Sequence, residues 1–292
     1  MRVFLTGATG FVGRNMLKRL LQEGHSVRAL VRDPAKASDL GQSGVEVVGG
    51  DVVSGTGLDE GMRGSDAVIH LVGIIVEKGA NTFERVHHLG TRNVVEAAAR
   101  VGLGRLVHMS ALGVRAGGVA GYQTSKWRGE EAVRKSGVPY CILRPSLIFG
   151  PGDGFVTQMM ETMRSAPLFR PVPGNGRPRF RPIFINDVTE CFARALTSDA
   201  ATNLSIDLGG ADELTLNEVL AEIARCCGVR KPAVHIPMPL MFLGARLLQS
   251  VLKNPPVTVD QLRMLREGST CDIEPMIRIL GVKPRGFEGC GR

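Results

Sequence analysis

Tyr122 and Lys126 stand four residues apart at the start of a segment rich in helix formers, Arg128 to Lys135, so they share one helix face. An ammonium beside a phenol stabilises the phenolate and lowers a tyrosine pKa from its usual value of about 10. A tyrosine tuned in this way exchanges a proton with a substrate oxygen. The plainer alternative is decoration of a surface helix. Ser110 follows the apolar run Arg105–Met109 and either bonds the same substrate oxygen or caps its strand. Tyr122, Lys126 and Ser110 are the candidate catalytic residues.

A proton exchanger of this kind works with a hydride carrier, and the chain opens on a loop suited to one. Gly7, Gly10 and Gly13 are spaced GxxGxxG between a strand-like run and a helical one. The first glycine permits a tight turn, the second lets backbone approach a pyrophosphate, and the third allows close packing of the helix. The helix N-terminus then offers free N–H groups and partial positive charge to the phosphates. The residues expected to line a dinucleotide here are Gly7, Thr9, Gly10, Phe11, Val12, Gly13 and Arg14. At the end of the second run Arg32 precedes Asp33. An acid there holds a ribose 2′-hydroxyl, whereas an arginine accommodates a 2′-phosphate. Arg32, with Arg14 placed one residue past Gly13 to reach the same spot and Lys36 to help, favours NADP over NAD; Asp33 keeps NAD open. Asp51 and Val52 are placed at the adenine. Leu71, Val72 and Gly73 run along the pyrophosphate and ribose. Pro145 joins this set, and Tyr122 and Lys126 also face the nicotinamide and its ribose.

These residues need a scaffold that brings strand ends together. Apolar, β-branched runs occur at Val3–Thr6, Ser26–Val31, Val45–Val48, Ala67–Leu71, Arg105–Met109 and Tyr140–Arg144, with helical periodicity at Phe11–Glu23 and Thr91–Arg100 between them. Alternation of this kind implies parallel strands with right-handed helical crossovers. The expected fold is α/β: a doubly wound parallel (Rossmann) sheet in residues 1–150. Residues 151–292 are expected to form mainly a smaller C-terminal substrate lobe, with segments returning to the main sheet. Prolines punctuate residues 151–182 as loops, and helical patterns follow at Val188–Thr197, Leu216–Cys227 and Pro239–Leu252. Leu204–Leu208 and Val234–Ile236 read as strands that join the main sheet or pair with each other.

The chain has 292 residues, 43% of them hydrophobic, enough for a sizeable core. The first strand begins directly after Met1, leaving no room for a signal peptide, and no apolar run reaches the roughly 18 residues that span a bilayer. The six cysteines form no CxxC pair or metal spacing, which fits reduced thiols, no metal and a cytoplasmic location. The net charge of +8 comes from scattered arginines, so no nucleic-acid partner is expected; anionic cofactors suit it better. The apolar stretch Pro239–Leu248 is too short to span; it reads first as core, and otherwise as a helix on a bilayer surface or lining a greasy pocket. The oligomeric state is read as monomer or homodimer, and the partner as a small-molecule substrate.

The glycine loop, the Asp51 turn, Tyr122 with Lys126, Arg92–Ala98, Leu143–Pro151 and Ile183–Val188 together resemble the extended and atypical short-chain dehydrogenase/reductase family, over most of residues 1 to 230. The branch most resembled contains the NAD(P)H-binding accessory subunit of respiratory complex I and other proteins like NAD-dependent epimerases and dehydratases. The chain departs from the family pattern in places. The position of the family's catalytic hydroxyl falls on Leu112, and its helix asparagine on His87 or His88. Phe180, between Arg179 and Arg181, stands where sugar-nucleotide enzymes carry a phosphate-binding arginine. No Asp-Glu pair follows Ser110, which argues against sugar dehydration. The resemblance implies hydride transfer on a small or lipophilic carbonyl, alcohol or quinone-related substrate. The alternatives are a non-catalytic accessory or sensor protein that only holds cofactor, and a nucleotide-sugar epimerase.

Overall fold

A computed structural model describes residues 1–42, 44–252 and 255–289; the Lys36 side chain and Cys290 lie outside the described residues. The first part runs β1 (Arg2–Thr6), α1 (Phe11–Gln22), β2 (Ser26–Val31), α2 (Ser38–Gln42), β3 (Glu46–Gly49), α3 (Leu58–Met62) and β4 (Ala67–His70). It continues through α4 (Gly90–Arg100), β5 (Arg105–Met109), α5 (Gly121–Arg134) and β6 (Tyr140–Pro145). Then follow β7 (Ile148–Phe149), α6 (Gly154–Ser165), β8 (Arg170–Pro173), β9 (Arg179–Phe180), β10 (Ile183–Phe184), α7 (Ile185–Thr197) and β11 (Leu204–Leu208). The last elements are β12 (Leu214–Thr215), α8 (Leu216–Cys226), β13 (Ala233–Ile236), α9 (Met238–Val251), α10 (Val259–Glu267) and α11 (Glu274–Leu280).

Seven strands form one parallel sheet in the order β11-β6-β5-β4-β1-β2-β3. The order reverses between β1 and β4, which opens a crevice beyond their carboxyl ends, where doubly wound folds bind ligands. Side chains alternate along each strand. Val3, Leu5 and Ile69 join the core that holds Met16 and Leu20 of α1 and Val188 and Phe192 of α7. Phe4, Val68 and Leu106 join the opposite core with Val94 and Ala98 of α4. Because both faces are covered, the central strands carry apolar residues without a solvent-facing polar alternation. The first core also takes in Val219 and Ile223 of α8 and Met276 of α11.

Of the two late strands, Leu204–Leu208 joins the main sheet beside β6. Ala233–Ile236 pairs in parallel with β8 instead, so the two do not pair with each other. The proline-punctuated stretch after residue 150 hides α6. Its start is fixed by Asp153, whose carboxylate accepts from the Val156 amide at 2.6 Å, the N-cap that sequence reading passed over. Helices α8 and α10 open on Thr215/Glu218 and Thr258/Gln261 capping boxes. The expectation that Pro239–Leu248 is core does not hold. In α9 only Ala245 is buried, and Leu240, Leu243, Leu247 and Val251 are 57 to 80% exposed. The helix packs mainly on α10, which covers too narrow a face to bury a segment apolar nearly all round.

Candidate active site

The glycine loop closes tightly where β1 hands over to α1. Gly7 sits at φ +80°, a conformation L-residues rarely adopt. A Cβ on Gly13 would lie 2.0 Å from the Gly7 carbonyl oxygen, so the first turn of α1 rests on the loop itself. Gly10, the N-cap, has ordinary backbone angles and is exposed; no side chain caps the helix, and its first turn holds no acid. The loop is thus a glycine-walled cradle below uncapped amides, which fits a pyrophosphate. Thr9 and Arg14 are exposed, Phe11 is half-buried and Val12 is buried.

Around the cradle the other expected residues fall at strand ends. Arg32 is exposed just past β2. Arg14 is paired with Asp39 at 2.6 Å, an exposed ion pair. Asp51 builds its own turn, its carboxylate accepting from the Val53 amide at 2.6 Å. Asn93 of α4 donates to the carbonyls of Val52 and Val53 at 2.9 and 3.0 Å, which fixes the buried Val52. Leu71 is buried, Val72 half-buried and Gly73 exposed. Pro145 is buried at the end of β6, and its carbonyl accepts from the Leu112 amide at 2.9 Å.

Helix α5 carries Tyr122 and Lys126 to this line of strand ends. A Cβ on Gly7 would meet Leu71 and Val72 at about 3.1 Å, and one on Gly73 would meet Lys126 Nζ at 3.4 Å and His87 Nε2 at 3.5 Å. Loop, β4 end and Tyr–Lys pair are therefore contiguous. Lys126 Nζ donates to the Met109 carbonyl at 3.0 Å and lies 5.8 Å from the Tyr122 ring centroid. The lowered phenol pKa expected from this lysine is not found: burial raises it. Burial also lowers the Lys126 ammonium to about 8, against the pull of the Glu130 carboxylate.

His87, not His88, takes the place beside the pair. Glu84–Leu89 forms one wide π turn ahead of α4, a feature common at functional sites. Within it His87 is buried, its ring 5.2 Å from that of Tyr122 and edge-on to it. An amide N–H only donates, so His87 Nε2 accepts from Ile74 at 3.0 Å. Burial, with the positive charge of Lys126, lowers His87 to about 2 and keeps it neutral. The proton therefore sits on Nδ1 and is donated to Ser125 Oγ at 2.9 Å, and Ser125 donates on to the Tyr122 carbonyl at 2.9 Å. His88 instead bonds Glu84 at 2.7 Å.

Ser110 is 2% exposed. Its hydroxyl faces the Glu130 carboxylate. Glu130 is fully buried and takes Arg144 in a two-pronged pair at 2.8 and 2.6 Å, with Arg134 at 2.6 Å. Burial pushes its carboxyl up, but the two guanidiniums prevail and hold it below the usual range.

Glu130, His70, Thr6 and Thr91 escaped sequence reading. His70 Nδ1 is 2.7 Å from Thr6 Oγ1 and its Nε2 is 3.1 Å from Thr91 Oγ1, with His108 stacked at 5.2 Å. The available signal was a polar residue ending an otherwise apolar strand. Two cavities of about 590 Å³ lie elsewhere. One is among Gly174, Arg177, His235, Met238 and Leu265, the other between α4 and α5; neither touches the glycine loop or Tyr122. Among the described residues there is no cluster suited to a metal ion, and no helix is long and apolar enough to cross a membrane.

A family model described as NAD(P)H-binding matches residues 7–162. A ceramide reductase of Caulobacter vibrioides is 30% identical over 259 residues, 87% of this chain and 80% of that protein. The 40 kDa subunit of mitochondrial NADH-ubiquinone oxidoreductase from Neurospora crassa is 25% identical over 284 residues, 95% of this chain and 74% of its own length. The fold of NADPH-dependent quinone oxidoreductase QOR2 from Escherichia coli, crystallised with NADPH, superposes with a TM-score of 0.77 at 19% identity, covering 97% of this chain and 96% of that one.

Proposed function

The chain belongs to the NAD(P)H-binding family within the extended short-chain dehydrogenase/reductase superfamily, and from that premise we propose that it is an NADPH-dependent reductase of a lipophilic carbonyl compound, with Tyr122 as proton donor. The contiguity of Gly7, Leu71–Val72, Gly73 and Lys126 carries this reading: a coenzyme laid on the glycine cradle runs along the β4 end toward the tyrosine. The coenzyme supplies the hydride. Gly7, Gly10 and Gly13 with the α1 amides hold its phosphates, Asp51 and Val52 its adenine, and Lys126 its nicotinamide ribose.

In the reduction Tyr122 gives its proton to the oxygen of the reduced carbonyl. His87 and Ser125 fix the helix start on which Tyr122 stands. Ser110, buried beside Glu130, is left out of the chemistry. Arg32 supports a preference for NADPH. The substrate class is argued from the ceramide reductase, a relative named for a lipid. The part of the chain beyond residue 150 acts as the substrate lobe. A cytoplasmic location and a monomeric or homodimeric state complete the proposal.

Titration of purified protein with NADPH, followed by a panel of long-chain ketones and quinones, tests the reading. Tyr122→Phe is expected to keep NADPH affinity and to lose carbonyl reduction by a factor of 100 or more, in the range of general acid catalysis. Tight NADPH binding with no oxidation by any carbonyl would favour the accessory or sensor role. Failure to bind either coenzyme would defeat both.

A further inference from the structure

We propose that the exposed face of α9 docks this protein on an anionic phospholipid bilayer. Leu240, Leu243, Leu247 and Val251 recur at spacings of three and four and form one row along the helix. They are 60, 57, 60 and 80% exposed. A row of this length left facing water is a signal of an interaction surface rather than of scattered exposure.

Charge selects the occupant. From Ile223 to Val259 the sequence holds no carboxylate, while Arg230 and Arg246 fall inside that span. Arg246 lies on α9 itself. Arg266 of α10 sits 5.8 Å over the Phe242 ring. The acids of α10 are turned elsewhere: Asp260 accepts from the Gly121 amide and pairs with Arg263, and Glu267 holds Arg115 and Gln123. An apolar row with Arg246 on its own helix, Arg266 against Phe242 and the acids of α10 turned away matches acyl chains beneath anionic headgroups. A second copy of the chain fits less well, because a two-fold contact through α9 would face one acid-free basic segment with another.

Co-sedimentation with vesicles tests this without reference to the reductase reading, since it requires no carbonyl substrate. Partition onto vesicles of phosphatidylcholine mixed with phosphatidylglycerol is expected to exceed that onto phosphatidylcholine alone by about tenfold or more, and to fall with added salt. The double variant Leu243→Glu/Leu247→Glu is expected to lose about tenfold in partition, with NADPH binding and melting temperature unchanged because both residues are exposed. Arg246→Gln should give a smaller loss confined to the anionic vesicles. No partition of the wild type, or equal partition of the double variant, would overturn the proposal. So would a dimer that the double variant converts to monomer without any wild-type partition, which would assign the face to a second copy.

Discussion

His87 and Ser125 are joined by a 2.9 Å hydrogen bond whose direction is fixed by the amide of Ile74 on the far side of the imidazole. One neutral ring thereby ties the segment after β4 to the start of α5. His87→Ala removes an acceptor from Ile74 and a donor from Ser125. Leaving buried polar groups unpaired costs about 1–3 kcal/mol each, so the melting temperature should fall by several degrees. His87→Asn offers both an acceptor and a donor and should restore part of the loss. Equal melting of His87→Ala and wild type would contradict this account.

The same burial makes the fold acid-sensitive. His87 and His70 are held near 2 and near 3, burial being the first cause for both. Unfolded histidines titrate at about 6.5. Below that value the unfolded chain takes up protons that the native state refuses, so stability is full above about pH 6.5 and is lost as pH falls toward 3. The slope should reach roughly 1.4 kcal/mol per pH unit for each of the two. Denaturant unfolding between pH 7 and 4 measures it, and a flat profile would count against buried neutral rings.

Lys126 gives the same sign in the alkaline range. Its ammonium, lowered to about 8 by burial, is protonated more readily in the unfolded chain than in the native one between about 8 and 10. Its contribution to stability therefore rises with pH across that window. Affinity for the coenzyme should move the other way, weakening as the ammonium is lost above about pH 8. Lys126→Arg keeps the charge and should flatten the affinity profile. An unchanged profile in that variant would remove Lys126 from the cofactor's neighbours.

Gly10 and Gly13 should separate stability from binding. Alanine at Gly13 would place its Cβ 2.0 Å from the Gly7 oxygen, so Gly13→Ala should lower the melting temperature and coenzyme affinity together. Alanine at Gly10 meets nothing nearer than 3.4 Å and needs no unusual backbone angle. Gly10→Ala should melt like wild type yet bind NADPH at least about tenfold more weakly, because its methyl occupies the phosphate's approach. Calorimetry and NADPH fluorescence together read both effects.

The proposed preference for NADPH rests on Arg32 and Arg14. Arg32→Glu should cut the ratio of NADPH to NADH affinity by about tenfold or more, as expected for loss of a charge-assisted phosphate contact. Asp39→Ala removes the 2.6 Å partner of Arg14 and should raise NADPH affinity modestly while leaving NADH unchanged. Equal shifts for both coenzymes would place these side chains away from the 2′-phosphate.

The amino-acid sequence by itself determined the alternating strands and helices, the glycine turn and the helical spacing of Tyr122 and Lys126. Each depends on residues within a few positions of one another, through side-chain period or backbone freedom. Helix α6 was masked because the prolines around it speak more loudly than the single cap at Asp153. Tertiary structure alone decided the rest. Thr6 and His70 are 64 residues apart, and His87 and Ser125 are 38 apart. Which of His87 and His88 faces the site, whether Ser110 opens to the crevice or lies beside Glu130, and whether α9 is covered all depend on which elements meet. Burial, and the pKa shifts it imposes, are properties of the packed neighbourhood, and no local pattern in the chain encodes that neighbourhood.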